Sequence, residues 1–181
     1  MARTSQLSNR RTLLLASAYV GLAILANWLA SKYVVHVPLT PYLAPAGVFC
    51  IGGVLVLRDW LQQLVGLYWS IALVYVAGVL SWAVAEVAGW SDLRRVALAS
   101  LVAFTISETV EALVFTPLRR RSLTLGVALS ATVGNAVDSW VFLTVAFSST
   151  AFFWGQFWGK SEAIAAGVVL TLFRRRLVAV A

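Results

Sequence analysis

The stretch VGLYWSIALVYVAGVLSWAVA, from Val65 to Ala85, contains 21 residues and no charged side chain. About 18–20 predominantly apolar residues are enough for a helix to cross the hydrocarbon core of a bilayer. Shorter apolar runs are ambiguous, because buried helices of soluble domains also contain them. This run is long enough to predict a transmembrane helix, and it therefore decides the fold class of the chain.

The composition of the whole chain agrees with this reading. The chain has 181 residues, of which 61% are hydrophobic and 12% are charged. Soluble domains average about 45–50% apolar and about 25% charged residues. Because so few polar residues are present to face water, the sequence predicts an all-α, polytopic membrane protein rather than a soluble enzyme or a soluble binding domain.

Six predominantly apolar runs predict a compact bundle of six transmembrane helices, forming a single domain over residues 1–181. Clusters of arginine or turn-forming residues separate the runs. The segment HVPLTPYLAP, from His36 to Pro45, predicts a loop between the first two spans because three prolines disfavour a continuous helix. The predicted spans cover approximately residues 12–31, 46–64, 65–85, 96–118, 123–147 and 157–173.

The distribution of basic residues predicts the orientation of these spans. With both termini in the cytoplasm, 10 of the 14 basic residues lie on the inside and 4 on the outside. Loops on the cytoplasmic side of membrane proteins carry such an excess of Lys and Arg. The formal charge of +7 therefore indicates membrane topology, and we expect no nucleic-acid partner.

Residues typical of enzymes and metal sites are rare in the chain. A lone cysteine, Cys50, excludes a disulfide within the chain, and a lone histidine, His36, lies in the proline-rich loop. Neither fits a metal-ligand or nucleophile pattern. No G-x-x-x-x-G-K-[ST] motif occurs, so ATP would have to act through a partner. We expect no catalytic activity, no metal and no cofactor.

Polar residues inside the predicted spans form an organised set. In ISETVEALVF, Glu108 and Glu111 have the i, i+3 spacing that places them on one helical face. Asn135 and Asp138 have the same spacing in GNAVDSWVFLTVAF, from Gly134 to Phe147. Ionisable groups are costly in a bilayer and usually face a bundle interior or a water-filled cavity. We interpret these four residues as candidates for a substrate-binding site.

Three further polar residues allow two interpretations each. Asn27, in the first span, either contacts a ligand or forms interhelical hydrogen bonds. Asp59 follows Arg58, and the two form either a solvated interfacial pair or part of a functional site. Lys160 either extends to the membrane surface or points inward as a counter-charge to the acidic residues, and the inward position is favoured.

The chemistry of these side chains indicates a class of ligand. A carboxylate accepts paired hydrogen bonds from adjacent N–H groups, and an asparagine amide both donates and accepts. Together with aromatic faces for stacking, they suit a planar, nitrogen-rich heterocycle. A cation or a proton-coupled amine also satisfies the same groups. The residues alone leave these three alternatives open.

Two segments of the second half resemble the queuosine-precursor transporters, also called the vitamin uptake transporter family. ASLVAFTISETVEALVFTPLRRR, from Ala99 to Arg121, and SATVGNAVDSWVFLTVAF, from Ser130 to Phe147, are similar to that family's fourth and fifth spans, with its G-N-x-x-D-S/T signature. In the first half, FCIGGVLVLRDWLQQLVG, from Phe49 to Gly66, resembles a D-x(6)-G element. The resemblance covers approximately residues 12–175.

The resemblance implies a six-helix importer in the inner membrane that takes up 7-deazaguanine precursors of queuosine, preQ0 or preQ1, for salvage. It implies a planar heterocyclic substrate and leaves a homodimer open. Alternatives are a proton-coupled carrier and a substrate-binding membrane subunit for another vitamin-like or cationic solute. By resemblance, the site residues are Asn27, Asp59, Glu111, Asn135, Asp138 and Lys160, to which the residue chemistry adds Glu108.

Overall fold

The computed structural model describes the backbone of residues 2–118, 120 and 122–180. It describes the side chains of residues 10–169 except 55, 59, 67, 119, 121, 123–125, 127, 167 and 168. Six α-helices account for most of the described chain, so the prediction of an all-α fold is confirmed. They are α1 Ala2–Lys32, α2 Ile51–Val65, α3 Leu67–Val87, α4 Ser91–Leu118, α5 Leu123–Phe147 and α6 Phe153–Val180.

The proline-rich segment between α1 and α2 contains more structure than a plain loop. Strand β1, Val34–His36, pairs antiparallel with β2, Leu43–Pro45, and a 3₁₀ helix, Ala46–Cys50, leads into α2. Val37, Ala44 and Val48 form a small buried cluster beneath this hairpin. The predicted second span therefore divides into a 3₁₀ turn and a helix, because the segment after Pro45 packs closely against α1 and α6.

Four helical segments are long and apolar enough to cross a membrane, by length and composition, in the part of the chain that could be searched. They are Arg10–Lys32, Ala46–Val65, Tyr68–Val87 and Ser91–Leu118. They coincide with the first four predicted spans. Large apolar side chains such as Leu14, Trp69 and Leu113 are more than half exposed, as expected for helices that face lipid.

Helices α4 and α5 run antiparallel and pack along their whole lengths. At one end, Arg95 Nη2 donates a hydrogen bond of 2.8 Å to Ser148 Oγ. At the other end, Glu111 lies directly against Gly134. Between these points, small and branched apolar side chains form the largest buried cluster: Ala30, Val96, Ala99, Ala103, Val141, Phe142, Leu143 and Ala146. This rigid pair carries the acidic residues of both helices.

Small residues allow other elements to approach closely, as is common between membrane helices. Gly52 of α2 lies against the carbonyl of Ala163 in α6, and a Cβ at this position would clash with it. Gly47 of the 3₁₀ helix is equally close to the carbonyl of Ala26 in α1. These contacts join α2 to α6 and the 3₁₀ helix to α1.

Helix α4 begins earlier than its apolar run indicates. The sequence predicts a loop before residue 96, whereas the helix starts at Ser91 and includes Arg94 and Arg95. Arg94 Nη1 donates to Glu86 Oε2 at 2.6 Å, so the charged residues are held at the helix end rather than in a loop. Helix α6 similarly starts at Phe153, four residues before the predicted position.

Gly66 is the sharp junction between α2 and α3. Its backbone has φ 86° and ψ 170°, a region that is essentially restricted to glycine and costs other residues about 1–3 kcal/mol. We therefore expect Gly66→Ala to lower the free energy of unfolding by about that amount. Gly21→Ala is the matched control, because a Cβ there meets no atom within 4 Å. Thermal unfolding of both purified variants in detergent measures the difference, and equal stability of the two would contradict it.

Candidate functional site

A cavity of about 620 Å³ lies among the helices, and all six helices contribute residues to its lining. The 3₁₀ helix and β2 close one part of it through Pro45, Gly47 and Val48. Of the residues predicted to form a site, six line this cavity: Asn27, Glu108, Glu111, Asn135, Asp138 and Lys160. The seventh, Asp59, has a side chain outside the described residues.

Lys160 points into the bundle and forms an ion pair with Asp138. Its Nζ donates a hydrogen bond to Asp138 Oδ2, which joins α6 to α5. Lys160 is 5% exposed, and its Nζ lies 6.0 Å from the centre of the Phe142 ring. The inward position favoured from the sequence is therefore the one observed. The Lys160 ammonium group therefore provides the counter-charge for the Asp138 carboxylate.

Arg58 and Glu108 form a second ion pair on the cavity wall. Arg58 Nη1 donates to Glu108 Oε1 at 2.9 Å, joining α2 to α4. The side chain of Arg58 lines the cavity, whereas its interpretation as a pair with Asp59 falls on a side chain outside the described residues. Sequence reasoning missed Arg58 as a site residue. Its position two turns before the end of α2, inside an apolar run, was the available signal.

Glu111 is the cavity carboxylate to which none of the described side chains supplies a cation. Within the described part of the chain, no side chain forms a hydrogen bond or an ion pair with it. Gly134 makes room for it, since a Cβ at this glycine would lie 2.9 Å from Glu111 Oε2. The half-buried carboxylate therefore faces the cavity with its oxygens available to a ligand.

Asn135 holds α6 against α5 beside the cavity. Its Nδ2 donates to the carbonyl oxygen of Phe157 at 3.1 Å and to Ser161 Oγ at 3.2 Å. Its Oδ1 accepts a hydrogen bond from Ser139 Oγ at 3.4 Å. These contacts fix the turn of α6 that carries Lys160. Asn135 therefore positions this wall in addition to lining the cavity.

Asn27 connects three helices. Its Nδ2 donates to Ser81 Oγ at 3.2 Å in α3, and its Oδ1 accepts from Ser100 Oγ at 2.7 Å in α4. Asn27 is 8% exposed. The sequence allowed two interpretations of Asn27, interhelical hydrogen bonds or contact with a ligand. The hydrogen bonds are present, and the side chain also lies at the cavity surface, where a ligand could reach it.

We expect Asn27→Leu to lower the free energy of unfolding by about 1–2 kcal/mol. The substitution removes two interhelical hydrogen bonds, each worth about 0.6 kcal/mol on average in a membrane protein, and leaves the hydroxyl of Ser100 without its acceptor. Thermal unfolding in detergent, with Ser81→Ala as a partial-loss comparison, measures the effect. A variant that is as stable as the wild type but inactive would instead assign Asn27 to ligand contact.

The rest of the cavity lining is largely apolar. Tyr19, Phe104 and Phe142 supply aromatic surface, and alanine and valine side chains from α1, α2 and α3 complete the wall. Such a lining with few polar groups is typical of small-molecule sites. In the residues that could be searched, no group of three or more His, Cys, Asp or Glu side chains could hold a metal ion.

Three comparisons with known proteins can be set beside these findings. Residues 10–180 match a family model described as "Putative vitamin uptake transporter". No curated protein and no solved structure matches the chain. The match covers nearly the whole chain, including every helix that lines the cavity, and it agrees with several helices that are long and apolar enough to cross a membrane.

Proposed function

This chain belongs to the vitamin uptake transporter family, a family of multi-pass membrane proteins, and we propose that it imports 7-deazaguanine precursors of queuosine. In this proposal the substrate is preQ0 or preQ1, taken up across the inner membrane for salvage. The protein is a transporter and performs no chemistry on its substrate. One observation carries the proposal: an unpaired carboxylate, Glu111, lies at the wall of a largely apolar cavity within a single chain.

A guanine-like ring fits the chemistry of Glu111. The ring presents two adjacent N–H donors, one on a ring nitrogen and one on the exocyclic amine. An ionised carboxylate accepts both, as a pair of charge-assisted hydrogen bonds. Asp138 and Glu108 already have cationic partners, so Glu111 is the carboxylate best able to accept the N–H edge.

The size and lining of the cavity support a planar heterocycle. About 620 Å³ falls within the range of small-molecule sites. The aromatic side chains Tyr19, Phe104 and Phe142 offer surfaces on which a flat ring can stack. Since the cavity lies within one chain, transport does not require the homodimer that the sequence leaves open.

The orientation is part of the proposal. We place six membrane spans with both termini in the cytoplasm, because the basic clusters then lie on the inside. The hairpin and the 3₁₀ helix consequently close the cavity toward the outer face through Pro45, Gly47 and Val48. Substrate would enter after this segment separates from α6 and would leave toward the cytoplasm.

A second candidate function is a proton-coupled or cation carrier. The cavity contains three carboxylates and two cations, so one negative charge has no counter-charge from the described side chains. A protonated amine or a proton on Glu111 would neutralise it. A substrate-binding subunit of a larger importer would use the same site and would need a partner to supply energy.

Uptake by a host that cannot make the precursor tests the proposal. Cells that lack preQ0 synthesis and their own transporter should gain queuosine in tRNA when they express this chain and receive labelled preQ0 or preQ1. Expression is verified by immunoblot of the membrane fraction. The proposal would be rejected if cells with the protein in their membrane accumulated no more label than cells carrying an empty vector. Uptake of an unrelated amine would favour the second candidate.

A further inference from the structure

Arg58 is a cavity residue with unused hydrogen-bond donors. A guanidinium has five N–H donors, and within the described residues its one hydrogen bond is from Nη1 to Glu108 Oε1. Arg58 Nε is buried and has no partner in the part of the chain that the structure describes. Buried donors are almost always satisfied in folded proteins. Nε itself has almost no accessible surface, so a ligand in the cavity would meet the guanidinium through its Nη donors, for which the described side chains provide one acceptor, Glu108.

Arg58 and Glu111 are connected through Glu108, and all three residues line the cavity. Glu108, which holds the guanidinium, is one helical turn before Glu111 on the same face of α4. Both side chains line the same cavity. The wall thus presents a strong donor beside a strong acceptor.

An adjacent donor and acceptor are complementary to a lactam, in which a ring carbonyl lies next to a ring N–H. We propose that Arg58 contacts the substrate and recognises its ring carbonyl, while Glu111 accepts from the neighbouring N–H groups. The inference rests on the proposed function and extends it, because it states which bases are selected. A ring with an amino group in place of the carbonyl presents a donor to Arg58 and also lacks the neighbouring ring N–H, so both contacts are lost.

The role of Glu108 follows from the same geometry. Its carboxylate fixes the guanidinium through Nη1 and leaves the remaining donors for the substrate. Glu108 is therefore a positioning residue, whereas Arg58 makes the contact. The two roles predict different results when each side chain is replaced, which separates substrate recognition from a purely structural ion pair.

Equilibrium binding to the purified full-length protein in detergent tests the inference. The two probes are preQ0 and its 6-thio analogue, which keeps the ring N–H and the amino group and replaces the carbonyl oxygen with sulfur, a weaker acceptor. We expect the wild type to bind preQ0 about 10-fold more tightly than the analogue, the lower end of the range for one charge-assisted hydrogen bond. Glu108→Gln should retain most of this ratio, because a glutamine amide oxygen still accepts from Arg58.

The variant that removes the contact is the double substitution Arg58→Gln with Glu108→Gln, which removes both charges of this ion pair together. We expect it to bind the two probes with affinities within about threefold of each other, mainly through weaker binding of preQ0. Arg95→Gln is the matched control, because Arg95 is exposed and hydrogen-bonds Ser148 outside the cavity. It should retain the wild-type ratio.

The outcomes are distinct. If the double variant kept the wild-type ratio of the two affinities, the role of Arg58 would be overturned. The role would also be overturned if Glu108→Gln alone lowered this ratio as much as the double variant does. Arg58→Lys provides an independent test, since it keeps the positive charge and loses the planar fork of donors. If this variant discriminated between the two probes as strongly as the wild type does, the inference would be contradicted. Failure of the folded wild type to bind preQ0 at all would instead reject the proposed function.

Discussion

Glu111→Gln should abolish uptake of the base while the protein remains folded in the membrane. The substitution keeps the shape of the side chain and removes the charge that accepts the N–H edge. No described side chain is paired with Glu111, so the change leaves no orphaned cation. The amide oxygen still accepts one N–H, but the NH2 group faces the second donor. Loss of one charge-assisted hydrogen bond, worth about 1.5–3 kcal/mol, and of the charge on the other predicts about a 100-fold reduction in affinity.

Glu86→Gln is the matched control for this prediction. The same substitution is made at a half-exposed glutamate near the end of α3, outside the cavity, where the partner is Arg94. The measurement is the initial rate of preQ0 uptake in a precursor-auxotrophic host, normalised to the amount of protein in the membrane. Normal uptake by Glu111→Gln would show that the carboxylate does not bind the substrate edge.

Breaking the Asp138–Lys160 pair should give the largest loss of stability. Lys160 is 5% exposed, so Asp138→Asn leaves a buried ammonium group without a counter-charge. Removing one member of a buried ion pair typically costs about 3–5 kcal/mol. We expect Asp138→Asn and Lys160→Met to each lower the free energy of unfolding by about that amount. The double variant should recover most of the loss, because neither charge remains.

Unfolding of the four proteins in detergent gives the coupling energy of the pair directly. The wild type, the two single variants and the double variant are compared by tryptophan fluorescence against temperature or denaturant. If the double variant lost as much stability as the sum of the single variants, the two side chains would not be coupled, and the pairing would have no energetic role. Uptake measured in parallel separates loss of folding from loss of function.

Much of the helical architecture could be predicted from the sequence. The apolar runs and arginine clusters indicated six helices, and the predicted fifth run has the same bounds as α5, Leu123–Phe147. The ends of other helices were less predictable, because they depend on tertiary contacts. Helix α4 extends back to Ser91 since Arg94 pairs with Glu86 of the preceding helix. The β1–β2 hairpin likewise depends on packing against α6, which no local pattern indicates.

The residues of the candidate site could be predicted from the sequence, but the ion pairs between them could not. The i, i+3 spacings placed Glu108 with Glu111, and Asn135 with Asp138, on single faces. Which carboxylate lacks a partner depends on distances between helices that are far apart in sequence. Asp138 pairs with Lys160 and Glu108 with Arg58, so Glu111 remains. In the sequence, Arg58 next to Asp59 indicated a residue at the membrane surface. The packing of α2 against the other helices, which the sequence does not show, places Arg58 at the cavity.

The most direct test of the central claim is equilibrium binding of labelled preQ0 to the purified protein. We expect saturable binding at one site per chain, which excess unlabelled preQ0 displaces and which Glu111→Gln eliminates. Glu86→Gln should bind as the wild type does. Absence of saturable binding to wild-type protein that is demonstrably folded, or undiminished binding to Glu111→Gln, would contradict the assignment of this cavity as a 7-deazaguanine site.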